Sequence, residues 1–311
     1  MSNLPLLVIV GPTGVGKTAL AVRLAQQVNL EIISADSRQI YRRCDIGTAK
    51  PTPAELAAAP HHLIDVVDPD EILSLAQFQE LAYAAIEAIH RRGCLPALVG
   101  GTGQWASAVV EGWGIPRVPP DYTLRAQLEA RAEAEGAAAL HAELAAIDPA
   151  AAAKIDPRNL RRVIRALEVY RKTGVPISVH QQKNPPPYNV LQVGLTMPRP
   201  LLYERIDRRI DGMMDAGLLD EVQALAAAGF GWEQPALMGL GYKQIGQYLR
   251  GEVSLDEAVA LIKKETRRFI RQQYNWFRLD NSRIHWIDVS EESEELRVAA
   301  LKKLVAEKLQ L

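Results

Sequence analysis

Leu6-Leu7-Val8-Ile9-Val10-Gly11-Pro12-Thr13-Gly14-Val15-Gly16-Lys17-Thr18 decides how this chain is read. An apolar run passes directly into G-x-x-x-x-G-K-T, and Ala19 to Val28 then carries apolar residues at helical spacing. A strand, a glycine-rich loop and a helix start in that order make a phosphate cradle. Glycines let backbone N–H groups converge on phosphate oxygens, the lysine adds a point charge, and the threonine hydroxyl can ligate Mg2+. The stretch predicts that Gly11, Pro12, Thr13, Gly14, Val15, Gly16, Lys17 and Thr18 hold a diphosphate or triphosphate. It does not say which one.

Working outward, Glu31-Ile32-Ile33-Ser34-Ala35 reads as a second buried strand that ends at Asp36-Ser37-Arg38-Gln39. A carboxylate at the carboxyl end of a strand beside such a loop stands where open α/β sheets place their ligands. An Asp-Ser pair is also a common turn or helix cap, so both readings stay open. Further strand signals lie at Leu63–Val67, Ala97–Val99, Leu191–Thr196 and Ile284–Val289, separated mostly by helical patterns. Gly100-Gly101-Thr102-Gly103 closes one of them, where small residues let a ligand approach the backbone.

The alternation breaks between Ile115 and Asn189. Leu124–Glu135, Ala137–Ile147 and Asn159–Lys172 are helical in pattern, and proline-rich stretches at Ile115–Pro120 and Pro185–Pro187 flank them. The expected fold class is therefore α/β. A Rossmann-like P-loop core with a parallel sheet (residues 1–114 and 190–311) carries an all-helical insertion (115–189). Glu291–Leu311 reads as an amphipathic packing helix.

Composition fits an enzyme with a substantial core: 311 residues, 48% hydrophobic, and no apolar run near membrane-span length. The two cysteines, Cys44 and Cys94, form no ligand cluster, which argues for reduced thiols and a cytoplasmic protein. Adjacent His61 and His62 suit local hydrogen bonding better than chelation. The net charge of −1 conceals clustering. Arg158, Arg161, Arg162, Arg165, Arg171, Lys172 and Lys183 face Glu168 alone; Lys263, Lys264, Arg267, Arg268, Arg271 and Arg278 face Glu265 alone. Lys263, Arg267 and Arg271 step i, i+4 along a helix, a positive stripe expected to meet nucleic-acid phosphates.

The motifs GPTGVGKT, ISADSRQIY, DIGTAKP, HHLIDVVDP and LVGGTGQW, with RRVIRALEVYRKTG, RIDRRIDGMMDAGLLDEV and GLGYKQI further on, resemble those of the bacterial tRNA dimethylallyltransferase family. The resemblance runs from Leu4 to about Arg278. It implies transfer of a dimethylallyl group from dimethylallyl diphosphate to N6 of the adenosine next to the anticodon (position 37), with release of diphosphate. It implies Asp36, Lys17, Thr18 and Arg209 as the catalytic set, Mg2+ on Thr18, and the tRNA anticodon stem-loop as partner. Arg208 competes with Arg209 as the diphosphate contact. Asp36, Ser37, Arg38, Gln39, Thr102, Arg125, Arg161, Arg162, Val163, Ile164, Arg165, Gly239, Leu240, Gly241, Tyr242, Lys243 and Gln244 match stretches that touch tRNA. A monomer with no membrane attachment is expected. Two rival classes share these features: a P-loop kinase, which would need ATP, and a non-catalytic RNA-binding protein, which would be indifferent to Asp36.

Overall fold

The structure, a computed structural model, describes residues 4–291 and 293–310. They divide into two compact units: the residues up to Val110 with those from Pro187 onward, and Glu111–Pro186. The first contains six parallel strands, β1 (Leu4–Val10), β2 (Leu30–Ser34), β3 (His61–His62), β4 (Leu95–Gly100), β5 (Tyr188–Thr196) and β6 (Ile284–Asp288), in the order β3-β2-β4-β1-β5-β6. Leu6, Leu7, Val8 and Ile9 of β1 are wholly buried, because helices cover both faces of a parallel sheet and leave no polar side.

Register sets up the site. Val10 lies opposite both Gly100 and Gly194, and Ser34 opposite Val99. The chain therefore leaves β1, β2 and β4 side by side at the carboxyl edge, which brings the phosphate loop, Asp36 and the Gly101–Gly103 turn together. Gly100 is required by this convergence: a Cβ there would lie 2.2 Å from the carbonyl oxygen of Ala35.

One strand expected from sequence is absent. Leu63–Val67 does not extend β3, because Leu63 and Asp65 adopt left-handed backbone (φ 61° and 56°). The segment instead turns so that the amides of Asp65, Val66 and Val67 donate to Gln39 and Ile40. β5 already begins at Tyr188, paired with Leu4, so the helical unit is complete by Pro186, short of the expected 189. The C-terminal helix runs Glu294–Leu309, with Val298, Leu301 and Val305 buried; Glu292 and Leu311 of the expected span lie outside the described residues. No helix among the described residues is long and apolar enough to cross a membrane.

An ion cluster around buried Glu31 pins the amino end of β2. The Glu31 carboxylate accepts from Arg92 Nε (2.8 Å) and Nη2 (2.6 Å) and pairs with His62 Nε2 (2.7 Å). The Arg92 hydrogen bonds, helped by His62 and opposed by burial, hold the Glu31 carboxyl at about 2 against a usual 4.5. Its stabilisation is thus fully present above pH 4.5 and is lost as pH falls toward about 2. Glu31→Gln is expected to cost ~2 kcal/mol at neutral pH. Urea unfolding of both proteins checks this: the gap should narrow markedly at pH 3, whereas an equal gap at both pH values would contradict it.

The second unit is all-helical: Tyr122–Glu135, Ala137–Ile147, Pro149–Ala152, Leu160–Thr173 and Ile177–His180. Leu128, Leu140, Leu144, Val163, Leu167 and Val169 form its own apolar core. Asn159 caps the Leu160–Thr173 helix by accepting from the Arg162 amide, and Gly174 ends it in left-handed conformation. Wholly buried Glu168 accepts from the Asp121 amide (2.7 Å), from Arg125 (2.8 Å twice) and from Arg165 (2.5 Å). Burial pushes that carboxyl up, but these donors outweigh it and hold it below the usual range.

Candidate active site

The phosphate loop passes from β1 into the Lys17–Ala25 helix. Gly16, its N-cap, has φ 105°, a left-handed conformation that turns successive amides toward one concavity. The first amides of that helix have no intrahelical acceptor and point the same way. Lys17 Nζ donates to Pro12 O at 2.8 Å, so its ammonium lies over the loop. Desolvation lowers Lys17 to about 8, Arg209 adds to the lowering, and the charge of Asp36 opposes both. A cationic group thus stands desolvated where an anion would restore its proton affinity.

A cleft of about 300 Å³ opens beside the loop, lined by Thr13, Gly14, Gly16, Lys17, Thr18, Asp36, Val99, Arg205 and Arg209 among others. Asp36 is fixed in a turn in which Oδ1 accepts from the Arg38 amide at 2.9 Å. Asp36 therefore sits in a turn and also lines the cleft. Arg209 reaches the cleft from the Arg199–Asp215 helix, whereas Arg208 is exposed and is not among its lining residues. Burial lowers Arg209, Asp36 opposes that, and Arg205 adds to it.

Three groups at or beside the cleft were not singled out from the sequence. Arg205 stands one turn before Arg209 on the same helix face, a spacing that could have revealed it. Gln273 is 3% exposed; its Oε1 accepts from the Thr13 amide (2.8 Å) and its Nε2 donates to Gly101 O (2.9 Å). It ties the phosphate loop to the glycine turn from the Leu255–Trp276 helix. Its signal was a glutamine on the apolar side of that helix, in line with Ile262, Thr266 and Ile270. Lys50, with Thr48 and Ala49, lines the same cleft from the DIGTAKP segment.

The residues expected to touch tRNA fall into distinct settings. Thr102 Oγ1 accepts from the Ser37 amide (3.0 Å) and shares a bond with the Ser37 hydroxyl, so it shapes the Asp36 turn. Arg38 donates to Pro235 O and Ala236 O (2.9 and 2.6 Å), and Gln39 is buried, bonded to Ser34 and Ala49. Gly239 packs against Arg38; Gly241, Tyr242 and Gln244 are buried, whereas Leu240 and Lys243 are exposed. In the helical unit Val163 and Ile164 are core residues, Arg125 and Arg165 are engaged by Glu168, and Arg161 and Arg162 are exposed.

The stripe on the Leu255–Trp276 helix has partners within the protein. Lys263 pairs with Asp211 (2.5 Å), Arg267 pairs with Asp207 and lies over the Tyr203 ring, and Arg271 donates to the Tyr203 hydroxyl (3.4 Å). These charges join two helices, because the Arg199–Asp215 helix presents acidic residues at matching spacing. Among the described residues no three His, Cys, Asp or Glu side chains cluster as a metal site. His61 Nδ1 bonds Ala59 O and His62 bonds Glu31, in keeping with local hydrogen bonding. A divalent cation here would rest on the Thr18 hydroxyl, substrate oxygens and water, a donor set that suits Mg2+.

Residues 39–280 match the protein family described as IPP transferase. A tRNA dimethylallyltransferase of Roseiflexus sp. (strain RS-1) is 59% identical over 88% of this chain and 90% of its own length. One from Dehalococcoides mccartyi is 50% identical over 97% of this chain and 93% of its own. Among solved structures, the tRNA isopentenylpyrophosphate transferase of Bacillus halodurans superposes with a TM-score of 0.74 at 43% identity, covering 98% of this chain and 97% of that one. A eukaryotic dimethylallyltransferase acting on tRNA gives 0.79 at 26% identity, over 98% and 80%.

Proposed function

The chain belongs to the IPP transferase family, that of the tRNA dimethylallyltransferases, and from that premise we propose that it moves a dimethylallyl group from its diphosphate to N6 of adenosine 37 in tRNA. The observation that carries this reading is the shared cleft: a carboxylate, a desolvated lysine, an arginine and an amide-lined loop converge on one space. A carboxylate beside a diphosphate cradle suits a reaction that removes a proton at one end and expels an anion at the other.

In this reading dimethylallyl diphosphate lies with its phosphates on Gly11 to Thr18. The adenine N6 attacks the first allylic carbon, the carbon–oxygen bond to diphosphate breaks, and Asp36 takes the amine proton. The exocyclic amine needs that base because its lone pair is delocalised into the ring. Its turn, anchored by the Arg38 amide and Thr102, holds the carboxylate for the task. Lys17, Arg209 and the loop amides would stabilise the departing charge, with Arg205 a further donor beside Gly16. Mg2+ on Thr18 would supply additional charge neutralisation. The adenine must leave its stack to reach the cleft. Ser37, Thr102 and the Gly239–Gln244 segment would shape the space that receives it, Leu240 and Lys243 from its exposed side. The reaction belongs in the cytoplasm, with a monomer as the working unit.

The tRNA grip is assigned to Arg161 and Arg162, which are exposed. Arg161→Ala/Arg162→Ala should flatten the dependence of log affinity on log salt by about one to two units, slightly less than one per lost phosphate contact. Arg267→Ala should leave the slope unchanged and lower thermal stability, because that arginine pairs with Asp207. Filter binding across a salt series distinguishes the two, and a flattened slope in Arg267→Ala would return that helix to the interface. Ribonuclease digestion and mass spectrometry of reacted tRNA should find the five-carbon unit on the fragment containing adenosine 37. Recovery on another nucleotide would contradict the assignment.

A further inference from the structure

The DIGTAKP segment has no role in the chemistry above, yet its backbone is held with unusual care. Glu221, on the Leu218–Ala227 helix, accepts from the amides of Asp45 and Ile46 through Oε2 (2.8 Å each) and from that of Gly47 through Oε1 (3.1 Å). The hydroxyl of Tyr242 donates to the same Oε1 at 2.6 Å. Tyr242 is 1% exposed and its ring packs against Gly47, where a Cβ would lie 2.5 Å from Cε2. From the other end, Lys50 Nζ donates to Tyr41 O (2.7 Å), Asp45 (2.6 Å) and Asp65 (2.5 Å). Thr48 Oγ1 donates to Cys44 O, and Gln39 Nε2 to Ala49 O.

The segment gripped in this way forms a wall of the cleft. Thr48, Ala49, Lys50 and Pro51 line it together with the phosphate loop and Asp36. With the diphosphate on the loop amides and Asp36 kept for the amine, Ala49 and Pro51, with Ala19 and Val99, are small apolar surfaces left to meet a five-carbon chain. We propose that Glu221 is a positioning residue for the allylic substrate: through its backbone nest and Tyr242 it fixes the Cys44–Lys50 segment as the wall that fits the dimethylallyl group. The inference rests on the reading under Proposed function. Four donors converge on one carboxylate, so an amide in its place must turn its NH2 toward at least one amide hydrogen. The wall then loosens while the phosphate loop, Asp36 and the arginines stay as they are.

Steady-state kinetics on Glu221→Gln tests this. The KM for dimethylallyl diphosphate should rise ~10-fold, in line with losing a charged hydrogen-bond acceptor, with kcat changed ~3-fold or less. Affinity for tRNA should remain as in the parent protein, and rejection of geranyl diphosphate should weaken. Tyr242→Phe removes one of the four donors and keeps the fold; its KM should rise ~2- to 3-fold, and it carries the test if Glu221→Gln does not fold. A purely architectural role would lower the melting temperature and leave KM and chain-length preference untouched. That result, or a rise in tRNA dissociation constant with KM intact, overturns the proposal. Absence of prenyl transfer in the parent protein would instead overturn the reading of function on which it rests.

Discussion

Asp36→Asn is expected to lower the rate of prenyl transfer by ~10²–10⁴-fold, the usual range for loss of a general base. The substitution keeps the shape of the side chain, and its amide oxygen can still accept from the Arg38 amide, so the turn should survive. What it loses is the capacity to take a proton. Affinity for tRNA should change far less, because phosphate contacts dominate it. Single-turnover rates with saturating tRNA separate the two effects. Near-normal transfer in Asp36→Asn would remove this carboxylate from the reaction and leave the amine proton without an acceptor.

Lys17→Ala should have the second large effect, ~10²–10³-fold in the rate of transfer, as for removal of a preorganised donor to developing negative charge. The ammonium touches Pro12 O and is desolvated, which lowers it to about 8. An anion in the loop would raise its proton affinity again, so its contribution grows as negative charge develops on the departing diphosphate. The loss should therefore appear in kcat as well as in the KM for dimethylallyl diphosphate, with tRNA binding retained. A change confined to KM would show that Lys17 binds ground state and transition state equally.

The parts of the site that were legible in the sequence are those written in short stretches. Gly11 to Thr18 and the Asp36 turn are local signals, since each needs only a strand followed by residues of special conformation. The three longer helices of the Glu111–Pro186 unit were legible for the same reason, as where Asn159 and Gly174 punctuate a periodic pattern; the four-residue helices Pro149–Ala152 and Ile177–His180 were not. Contacts across long separations were not. Gln273 meets Thr13 from 260 residues away, and nothing near either residue announces the partner. Glu221 reads as an ordinary acid on an amphipathic helix until the fold brings Asp45, Ile46 and Gly47 against it. The partners of the basic stripe were not legible either, because a charge pattern does not state what faces it: Asp211 pairs with Lys263 and Asp207 with Arg267. Leu63–Val67 misled because β-branched composition says nothing of the left-handed turns at Leu63 and Asp65.

The central claim is that the loop beginning at Gly11 holds a prenyl diphosphate whose carbon chain is delivered to tRNA without nucleoside triphosphate. Incubating the protein with unmodified tRNA, Mg2+ and dimethylallyl diphosphate labelled in the carbon chain, ATP omitted, tests it in one step. Digestion to nucleosides should recover the label in N6-dimethylallyladenosine, with one diphosphate released for each group transferred. Unlabelled nucleosides under these conditions, with phosphoryl transfer appearing once ATP is added, would contradict the account.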